Sequence, residues 1–186
     1  MQIIRMVGLG LLAFALLVVI LGWLGLKVKP KPFPSYPERG LEPDRVPLPG
    51  DLPAPVARYF RTLIGDEVPV IRSAVITGRA KVRFMGIPFP GRYRIVHDAG
   101  RGYRHYIEAT LFGLPLLKVN EHYLDGQSRL ELPFGVVENE PKVDAAANLG
   151  LWAESVWLPS VYVTDPRLRW QSVDDETVLL LSLIHI

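Results

Sequence analysis

The side chains best suited to bind a metal ion lie in the middle of the chain and follow no known ligand spacing. The candidates are His97, His105, Glu121, His122 and Asp125. The sequence contains neither HExxH nor His-x-His, the spacings that bring two histidines to one face of a helix or strand. A nucleophile elbow, a P-loop and a dinucleotide-binding fingerprint are also absent from it. We therefore expect no metal, no cofactor and no catalytic residues.

Carboxylates offer the next possible chemistry, which is acid–base catalysis by a pair of glutamates. Three glutamates fall in predicted strands: Glu108, Glu121 and Glu131. Salt bridges to arginines on neighbouring strands explain them more simply. Glu154 differs because it lies in a predicted helix rich in tryptophan. If buried, it needs a cation such as Arg58 or Arg61, or it stays neutral. We expect a tie between helices, with a functional carboxylate as the alternative.

Positive charge is concentrated between residues 72 and 104. This segment holds eight cations and a single acid, Asp98. Because side chains alternate along a strand, five of the cations should project from one side of two predicted strands: Arg79, Lys81, Arg83, Arg92 and Arg94. Such a basic face could contact anionic headgroups or an anionic ligand. The alternative is a solvated face whose arginines pair with glutamates of neighbouring strands.

Aromatic side chains occupy the opposite, apolar side of these strands and a later helix. They are Phe84, Tyr93, Tyr103, Trp152 and Trp157. They could line a cavity that binds a lipid-like molecule, and ordinary core packing is the alternative. A continuous dry cavity above about 300 Å³ would favour the ligand.

The composition of the whole chain sets few further limits. It has 186 residues, of which 21 are basic and 19 acidic, so its charge gives no indication of nucleic-acid binding. It has no cysteine, which excludes disulfides, thiolate metal sites and a lipid-modified cysteine.

Residues 1–27 predict a transmembrane anchor. Residues 6–26 carry no charge, and as a helix they would be about 31 Å long, which matches the hydrocarbon core of a bilayer. A cleaved signal peptide would have a shorter apolar region and a small-residue cleavage site, whereas Lys27, Val28 and Lys29 follow here. We therefore expect residues 6–26 to contact the lipid bilayer.

The charges around this segment give opposing indications of its orientation. Arg5 precedes it, whereas Lys27, Lys29 and Lys31 follow it, which by the positive-inside rule favours a cytoplasmic domain. A very short N-terminal flank before a signal-like helix commonly stays inside, and the domain is then exported. We favour export, and hence a single-pass protein of the bacterial cytoplasmic membrane with an extracytoplasmic soluble domain.

Three further segments follow the anchor. Residues 28–50 form a proline-rich stalk that should hold the domain off the bilayer, with a PxxP ligand for a partner domain as the alternative. Residues 51–180 form the soluble domain. Residues 181–186 resemble the translation of a sequencing-library adapter, so we expect the natural chain to continue beyond them and treat His185 as outside any site.

The soluble domain should be α+β. Asp51 is a plausible cap of a first helix whose apolar stripe holds Val56, Tyr59, Phe60 and Leu63. From Val70, polar and apolar residues alternate over five predicted strands separated by turn residues, which predicts a curved, half-barrel-like antiparallel meander with one apolar and one charged face.

A second helix and a hairpin should complete the domain. The helix runs from about Asp144, its plausible cap, to Leu158, and Pro159 ends it. Its core-facing residues would be Leu149, Trp152, Val156 and Trp157. Two strands, at residues 168–173 and 177–181, then flank the turn Asp174-Asp175.

Two motifs in this domain resemble those of a bacterial membrane-anchored family of unknown function. Residues 52–60 are close to an LPxPVxRYF opening, and residues 151–160 read LWAESVWLPS. The resemblance covers about residues 52–180, implies a longer natural chain and implies no particular reaction. The order of elements is similar to that of the half-barrels of periplasmic lipoprotein carriers, which is an analogy of topology.

Three functions follow, in order of preference. The first is non-enzymatic binding of a hydrophobic or amphiphilic, lipid-like ligand, or lipid handling in the bacterial envelope. The second is a structural or interaction module that uses the basic face. The third is an uncharacterised enzyme, which would require carboxylates and histidines to converge in one cleft.

Overall fold

The fold begins with one long apolar helix. A computed structural model of the protein describes residues 2–36 and 42–182. The helix α1 (Gln2–Gly25) contains a 21-residue stretch, Arg5–Gly25, with a mean hydropathy of 2.7. Its most apolar part is not buried by the rest of the protein. Helix α1 is therefore long and apolar enough to cross a membrane, as predicted.

A short helix and a two-stranded sheet open the domain. Strand β1 (Arg45–Pro47) precedes helix α2 (Ala54–Leu63) and pairs antiparallel with strand β2 (Glu67–Pro69). The N-cap of α2 is Pro53 and no side chain caps the helix, so the predicted cap at Asp51 is wrong. Tyr59 and Leu63 of the predicted stripe are exposed, and the buried residues are Val56, Ala57 and Phe60.

Alternation from residue 73 onward produces a six-stranded antiparallel sheet. Its strands are β3 (Ser73–Phe84), β4 (Ile87–Asp98), β5 (Gly102–Leu111), β6 (Leu114–Leu124), β7 (Gln127–Leu132) and β8 (Gly135–Glu138). Each strand pairs with the next one along the chain, so the sheet is an open meander. The predicted α+β class and antiparallel sheet are confirmed. The short strand β8 was not predicted.

Tight turns join the strands, and their backbone explains their sequences. Met85-Gly86, Phe112-Gly113 and Asp125-Gly126 each have two consecutive residues with positive φ. This is the conformation of the type I′ turn, whose twist matches that of the flanking strands. The prediction that turn residues separate the strands is therefore confirmed.

Helix α3 (Pro141–Glu154) covers one end of one sheet face. Ala147 and Leu151 pack with Tyr103 and Tyr123 in the core, and Asn148 Nδ2 donates a hydrogen bond to the Tyr123 hydroxyl at 2.7 Å. The prediction for this helix was wrong in two respects. Leu149, Val156 and Trp157 are exposed rather than core-facing.

The predicted cap of α3 is the second error. Asp144 lies inside the helix, and its carboxylate accepts hydrogen bonds from the backbone N–H and hydroxyl of Ser128, at 2.7 and 2.6 Å. The helix therefore starts earlier than predicted, at a proline whose missing N–H costs little in the first turn.

The chain then ends in short elements. A turn of 3₁₀-helix (Ser155–Trp157) and helix α4 (Val161–Thr164) follow α3. Strands β9 (Leu168–Ser172) and β10 (Val178–Ser182) form the predicted hairpin as a separate two-stranded sheet. Residues 183–186 of the predicted adapter sequence, including His185, lie outside the described residues, as does Pro37 of the stalk.

The segment after α1 lies against the large sheet and does not project away from it. The Phe112 N–H donates to the carbonyl oxygen of Gly25 at 3.0 Å, which joins the end of α1 to the β5–β6 turn. Pro30 is fully buried, and its carbonyl accepts a hydrogen bond from Arg79 Nε at 2.9 Å. We call residues 28–36 the strap. The strap therefore does not act as the expected spacer between the bilayer and the domain. The boundaries of the stalk, residues 28–50, stay a prediction.

The close approach of β4 and β5 generates a stability prediction. A Cβ at Gly91 would lie 2.7 Å from both the Glu108 carbonyl oxygen and a methyl group of Val82. Gly91→Ala should therefore lower the free energy of unfolding by about 1–3 kcal/mol, the usual cost of overpacking. Thermal unfolding followed by circular dichroism measures this loss. Gly135→Ala is the control, because no atom lies within 4 Å of its added Cβ. Equal midpoints for the two variants would contradict the packing.

Candidate functional site

A cluster of titratable side chains lies on the sheet face that α3 covers. The pairing register brings His97 opposite Tyr103 and His105 opposite Glu121. Glu154, at the end of α3, reaches the same place from the helix side. We call these five residues the polar cluster. Three of the five predicted metal-ligand candidates are among them.

His105 is held between two carboxylates. Its Nε2 lies 2.9 Å from Glu154 Oε2, and its Nδ1 lies 3.5 Å from Glu121 Oε2. Burial lowers the pKa of His105, but the hydrogen bonds to Glu121 and Glu154 outweigh it and raise the pKa to about 9. His105 is therefore an imidazolium at neutral pH, and each of its ring N–H groups faces a carboxylate.

The partner of Glu154 is histidine, which corrects the expected pairing with Arg58 or Arg61. Glu154 Oε2 contacts His105 and also lies 3.4 Å from His97 Nε2. Burial raises the pKa of Glu154, but the contacts with these two histidines lower it to about 2. The carboxyl group of Glu154 is thus ionised and half-buried.

Tyr103 completes the cluster through one hydrogen bond and one ring contact. The Tyr103 hydroxyl donates to Glu121 Oε1 at 2.7 Å, and its ring stacks on the imidazole of His105 with centroids 4.1 Å apart. Burial and the hydrogen bond to Glu121 raise the pKa of Tyr103, while the bond to His105 and then the one to Tyr103 lower the pKa of Glu121. Neither ring nitrogen of the fully buried His97 makes a hydrogen bond to the described residues.

The polar cluster can store and pass a proton, since it links a phenol, two carboxylates and two imidazoles. In the described ranges no three histidine, aspartate or glutamate side chains are arranged to hold a metal ion. His122 lies on the other sheet face, because side chains alternate and its neighbour Glu121 faces α3. The register, which sequence spacing does not reveal, decides which candidates meet.

An apolar trough lies on the same sheet face, beside α3. Its volume is about 270 Å³. It is lined by residues of β3, β5, β6, β7, the β7–β8 turn and β8: Val82, Phe84, Ile107, Ala109, Leu117, Val119, Leu132, Pro133, Phe134, Gly135, Val136 and Val137. Ile107 and Val119 lie two residues along their strands from His105 and Glu121, so the trough leads to the polar cluster. Its volume falls just short of the 300 Å³ expected of a ligand cavity.

Of the five aromatic residues predicted to line a cavity, the trough contains Phe84. Tyr103 belongs to the core and the polar cluster. Tyr93 packs over Gly78, Trp152 lies beside the guanidinium of Arg167, and Trp157 is half-exposed. Sequence analysis missed the aliphatic lining of β5 and β6, although Ile107 and Val119 follow the period-two pattern that could have indicated it.

The strap covers part of the predicted basic face. Arg79 donates to the Pro30 carbonyl, and Arg92 pairs with Glu108 at 2.7 Å and donates to the Lys31 carbonyl at 3.2 Å. Arg94 lies over the rings of Phe33 and Tyr36, at 5.0 and 5.5 Å. Lys81 and Arg83 are exposed. The basic face is thus divided into a covered part and an exposed pair.

Two other hollows lie near helix α4. They measure about 320 and 520 Å³ and share Thr164, Asp165 and Pro166 among their lining residues. Asp165 pairs with Arg167 at 2.5 Å, and Arg167 also donates to the Gly100 carbonyl. The charged groups of Asp165 and Arg167 thus bind each other, whereas the lining of the trough is apolar.

The ion pair between His105 and Glu154 generates a prediction for the pKa of His105. Glu154→Gln removes the closer carboxylate, so the pKa of His105 should fall from about 9 toward the ordinary histidine value of about 6.5. Nuclear magnetic resonance of isotope-labelled histidine follows this titration. Glu131→Gln is the control, since Glu131 bonds to Asn120 and Arg129 instead. An unchanged His105 titration in Glu154→Gln would contradict the geometry.

The same pair predicts how stability depends on pH. The raised pKa of His105 stabilises the fold fully below about pH 6.5, and this contribution is lost as pH rises through about 9. The lowered pKa of Glu154 stabilises the fold above about pH 4.5, and this contribution is lost as pH falls through about 2. The free energy of unfolding should therefore be greatest between these limits and fall by about 3 kcal/mol from pH 6 to 9.5.

Chemical unfolding at a series of pH values measures that loss. His105→Gln cannot bind the proton, so its stability should change little over the alkaline part of the range. A native protein whose stability stays constant from pH 6 to 9.5 would show that His105 gains no proton on folding.

Comparison with known proteins identifies a family but no activity. The chain has no match among curated proteins or among solved structures. Residues 45–182 match DUF6544, a family of unknown function. The match spans the domain from β1 to the end of β10, including the polar cluster and the trough. The chain therefore belongs to the DUF6544 family.

Proposed function

We propose that this protein is anchored in a membrane by α1 and binds, without catalysis, a hydrophobic or amphiphilic molecule in the apolar trough. The observation that carries the proposal is the lining of the trough, which consists of apolar residues and one glycine. Folded proteins rarely leave a connected apolar surface uncovered unless something binds there.

The position of α3 explains why the trough is open. The helix crosses the strands from β7 to β4 and covers only the part of the sheet where Tyr103 and Tyr123 lie. Beyond it, Val136 and Phe134 are exposed, Phe134 by 82%. Covering apolar area releases about 25 cal/mol per Å², so a hydrocarbon chain laid on these side chains would stabilise both itself and the sheet.

The polar cluster suits the other end of an amphiphile. The side chains of Glu121 and Glu154 are 26% and 24% exposed, so water or a ligand can reach them. Their oxygens accept hydrogen bonds, and the nearest trough residues are Ile107 and Val119. The proposed ligand therefore places its chain in the trough and a hydrogen-bond donor, such as a hydroxyl group, near these carboxylates.

The proposed location is the bacterial cytoplasmic membrane, with the domain on the extracytoplasmic side. The length and hydropathy of α1 support insertion. The short N-terminal flank of α1 supports export, and Lys27 and Lys29 oppose it. Lipid handling in the envelope, by analogy with periplasmic lipoprotein carriers, is the finer form of the proposal.

Two other functions are supported by particular contacts. Lys81 and Arg83 keep open an interaction through the basic face, although the strap already occupies Arg79, Arg92 and Arg94. Acid–base catalysis is supported by the convergence of histidines and carboxylates in the polar cluster. The residues of the cluster line neither the trough nor the two hollows near α4, and this makes binding the better-supported function.

Lipid retention tests the proposal. The full chain is extracted in a mild detergent, and the lipids that remain bound are quantified by mass spectrometry. Val119→Asp places a charge in the trough, and Val137→Trp fills it without adding charge. Both variants should retain several-fold less lipid, because the first makes desolvation costly and the second removes the space.

The matched controls carry the same changes on the opposite sheet face. Val75 is 37% exposed and pairs with Val96 on that face, so Val75→Asp and Val75→Trp keep both the trough and α1. Lipid that surrounds α1 is thus common to all four variants. If folded Val137→Trp retained as much lipid as Val75→Trp, the trough would not be the binding site.

A further inference from the structure

The two ends of the large sheet differ in the residues of their turns. In a meander, alternate turns lie at the same end. Asp98 to Arg101 and Asp125-Gly126 form the turns at one end, which is polar. The opposite end holds Met85-Gly86, Phe112-Gly113 and Pro133-Phe134. We call this second set the apolar tips. The trough opens toward them, since Phe84 and Phe134 belong to both its lining and that end of the sheet.

The apolar tips carry bulky side chains where turn geometry favours other residues. Met85 and Phe112 have φ of 48° and 53°, a region that non-glycine residues seldom occupy and in which asparagine and aspartate are favoured. Asp125 occupies the equivalent position at the polar end, with φ of 51°. Met85 is nevertheless 87% exposed, so neither the backbone nor core packing accounts for its side chain. Contact with an apolar medium would account for it.

The end of α1 shows where that medium lies. The carbonyl of Gly25 accepts the N–H of Phe112, and a Cβ at Gly25 would lie 2.7 Å from a methyl carbon of Leu111. If α1 spans a bilayer, Gly25 lies at the edge of the hydrocarbon core. Trp23, with the ammonium of Lys27 4.8 Å from its ring centroid, has the aromatic and cationic character of the interface.

Two exposed cations lie at distances from the apolar tips that suit contact with lipid headgroups. Arg83 is two residues from Met85 along β3, about 7 Å, and Lys81 is about 13 Å away. These distances suit headgroups when Met85 reaches the acyl chains. The sheet curves so that the ring of Phe84, beside the first tip, lies 6.1 Å from the ring of Phe134 in the last tip, so these two tips would enter the bilayer close together.

We propose that the apolar tips insert into the bilayer that α1 spans, so that the trough opens onto the acyl chains and takes its ligand, a chain of a membrane lipid, directly from the membrane. This inference rests on the membrane anchoring in the proposed function and names the source of the ligand. Lys81 and Arg83 contact anionic headgroups on the same side.

Cysteine labelling tests the insertion, because the chain contains no cysteine of its own. Single variants Met85→Cys, Phe134→Cys, Asp125→Cys and Val18→Cys of the full chain are labelled with the fluorophore NBD in phosphatidylcholine–phosphatidylglycerol nanodiscs. Quenching by lipids spin-labelled near the headgroup and quenching by aqueous iodide are then compared. Residues 85 and 134 should be quenched by spin-labelled lipid and protected from iodide, whereas residue 125 should behave in the opposite way.

The label at residue 18 distinguishes a failure of the proposed insertion from a failure of the proposed membrane anchor. Lipid quenching at residue 18 with iodide quenching at residues 85 and 134 would keep the anchor and overturn the insertion. Iodide quenching at residue 18 would overturn the anchor in the proposed function, and the insertion with it. Position 112 is left unlabelled, because its contact with Gly25 would bring it near lipid in either case.

A second variant separates insertion from folding. Met85→Asn places a favoured residue at the positive-φ position, so the fold should be as stable as before or more stable. In the double variant Met85→Asn with Phe134→Cys, iodide should quench the label at residue 134 more strongly. The polar asparagine would hold the neighbouring tip, and with it residue 134, less deeply among the acyl chains. Unchanged accessibility, with an unchanged fold, would count against the tips acting together.

Discussion

The pairing register of the six-stranded meander is the constraint on which the rest of this structure depends. Because side chains alternate across each strand, one register places His105 opposite Glu121 under α3 and Ile107 opposite Val119 beyond it. The polar cluster and the trough are therefore neighbouring parts of one face. A slip of one residue in β6 would send Glu121 and Val119 to the other face and remove both features together.

The cluster is also a compromise between burial and charge. A carboxylate and an imidazole taken out of water lose hydration, and each stays charged only because the other lies within about 3 Å. His97 adds a fully buried imidazole with no hydrogen-bond partner among the described residues. Such a set costs stability compared with an apolar core. In the proposed function, a hydrogen bond from the ligand to Glu121 or Glu154 would offset part of this cost.

The contact between α1 and the β5–β6 turn changes the structural role of the proline-rich segment from the one that its composition predicts. An extended chain with nine prolines between residues 30 and 55 suits a spacer by composition. Its first part instead returns along the sheet, where its carbonyl groups and aromatic rings bind Arg79, Arg92 and Arg94. Proline favours this use as well, because a rigid segment loses little conformational entropy when it packs. The domain is thus held beside the end of α1.

The sequence by itself determined the local features: a helix of bilayer length, the meander and its turns, and the C-terminal hairpin. Each follows from periodicity or from residues that favour one backbone conformation. Helix faces were harder, because Leu149 and Leu151 lie only two residues apart in α3 and packing alone selects Leu151 for the core. The partners of Glu154, the lining of the trough and the place of the strap required the tertiary structure. They join residues far apart in the chain, and strand register and packing, which local sequence does not encode, decide which of those residues meet.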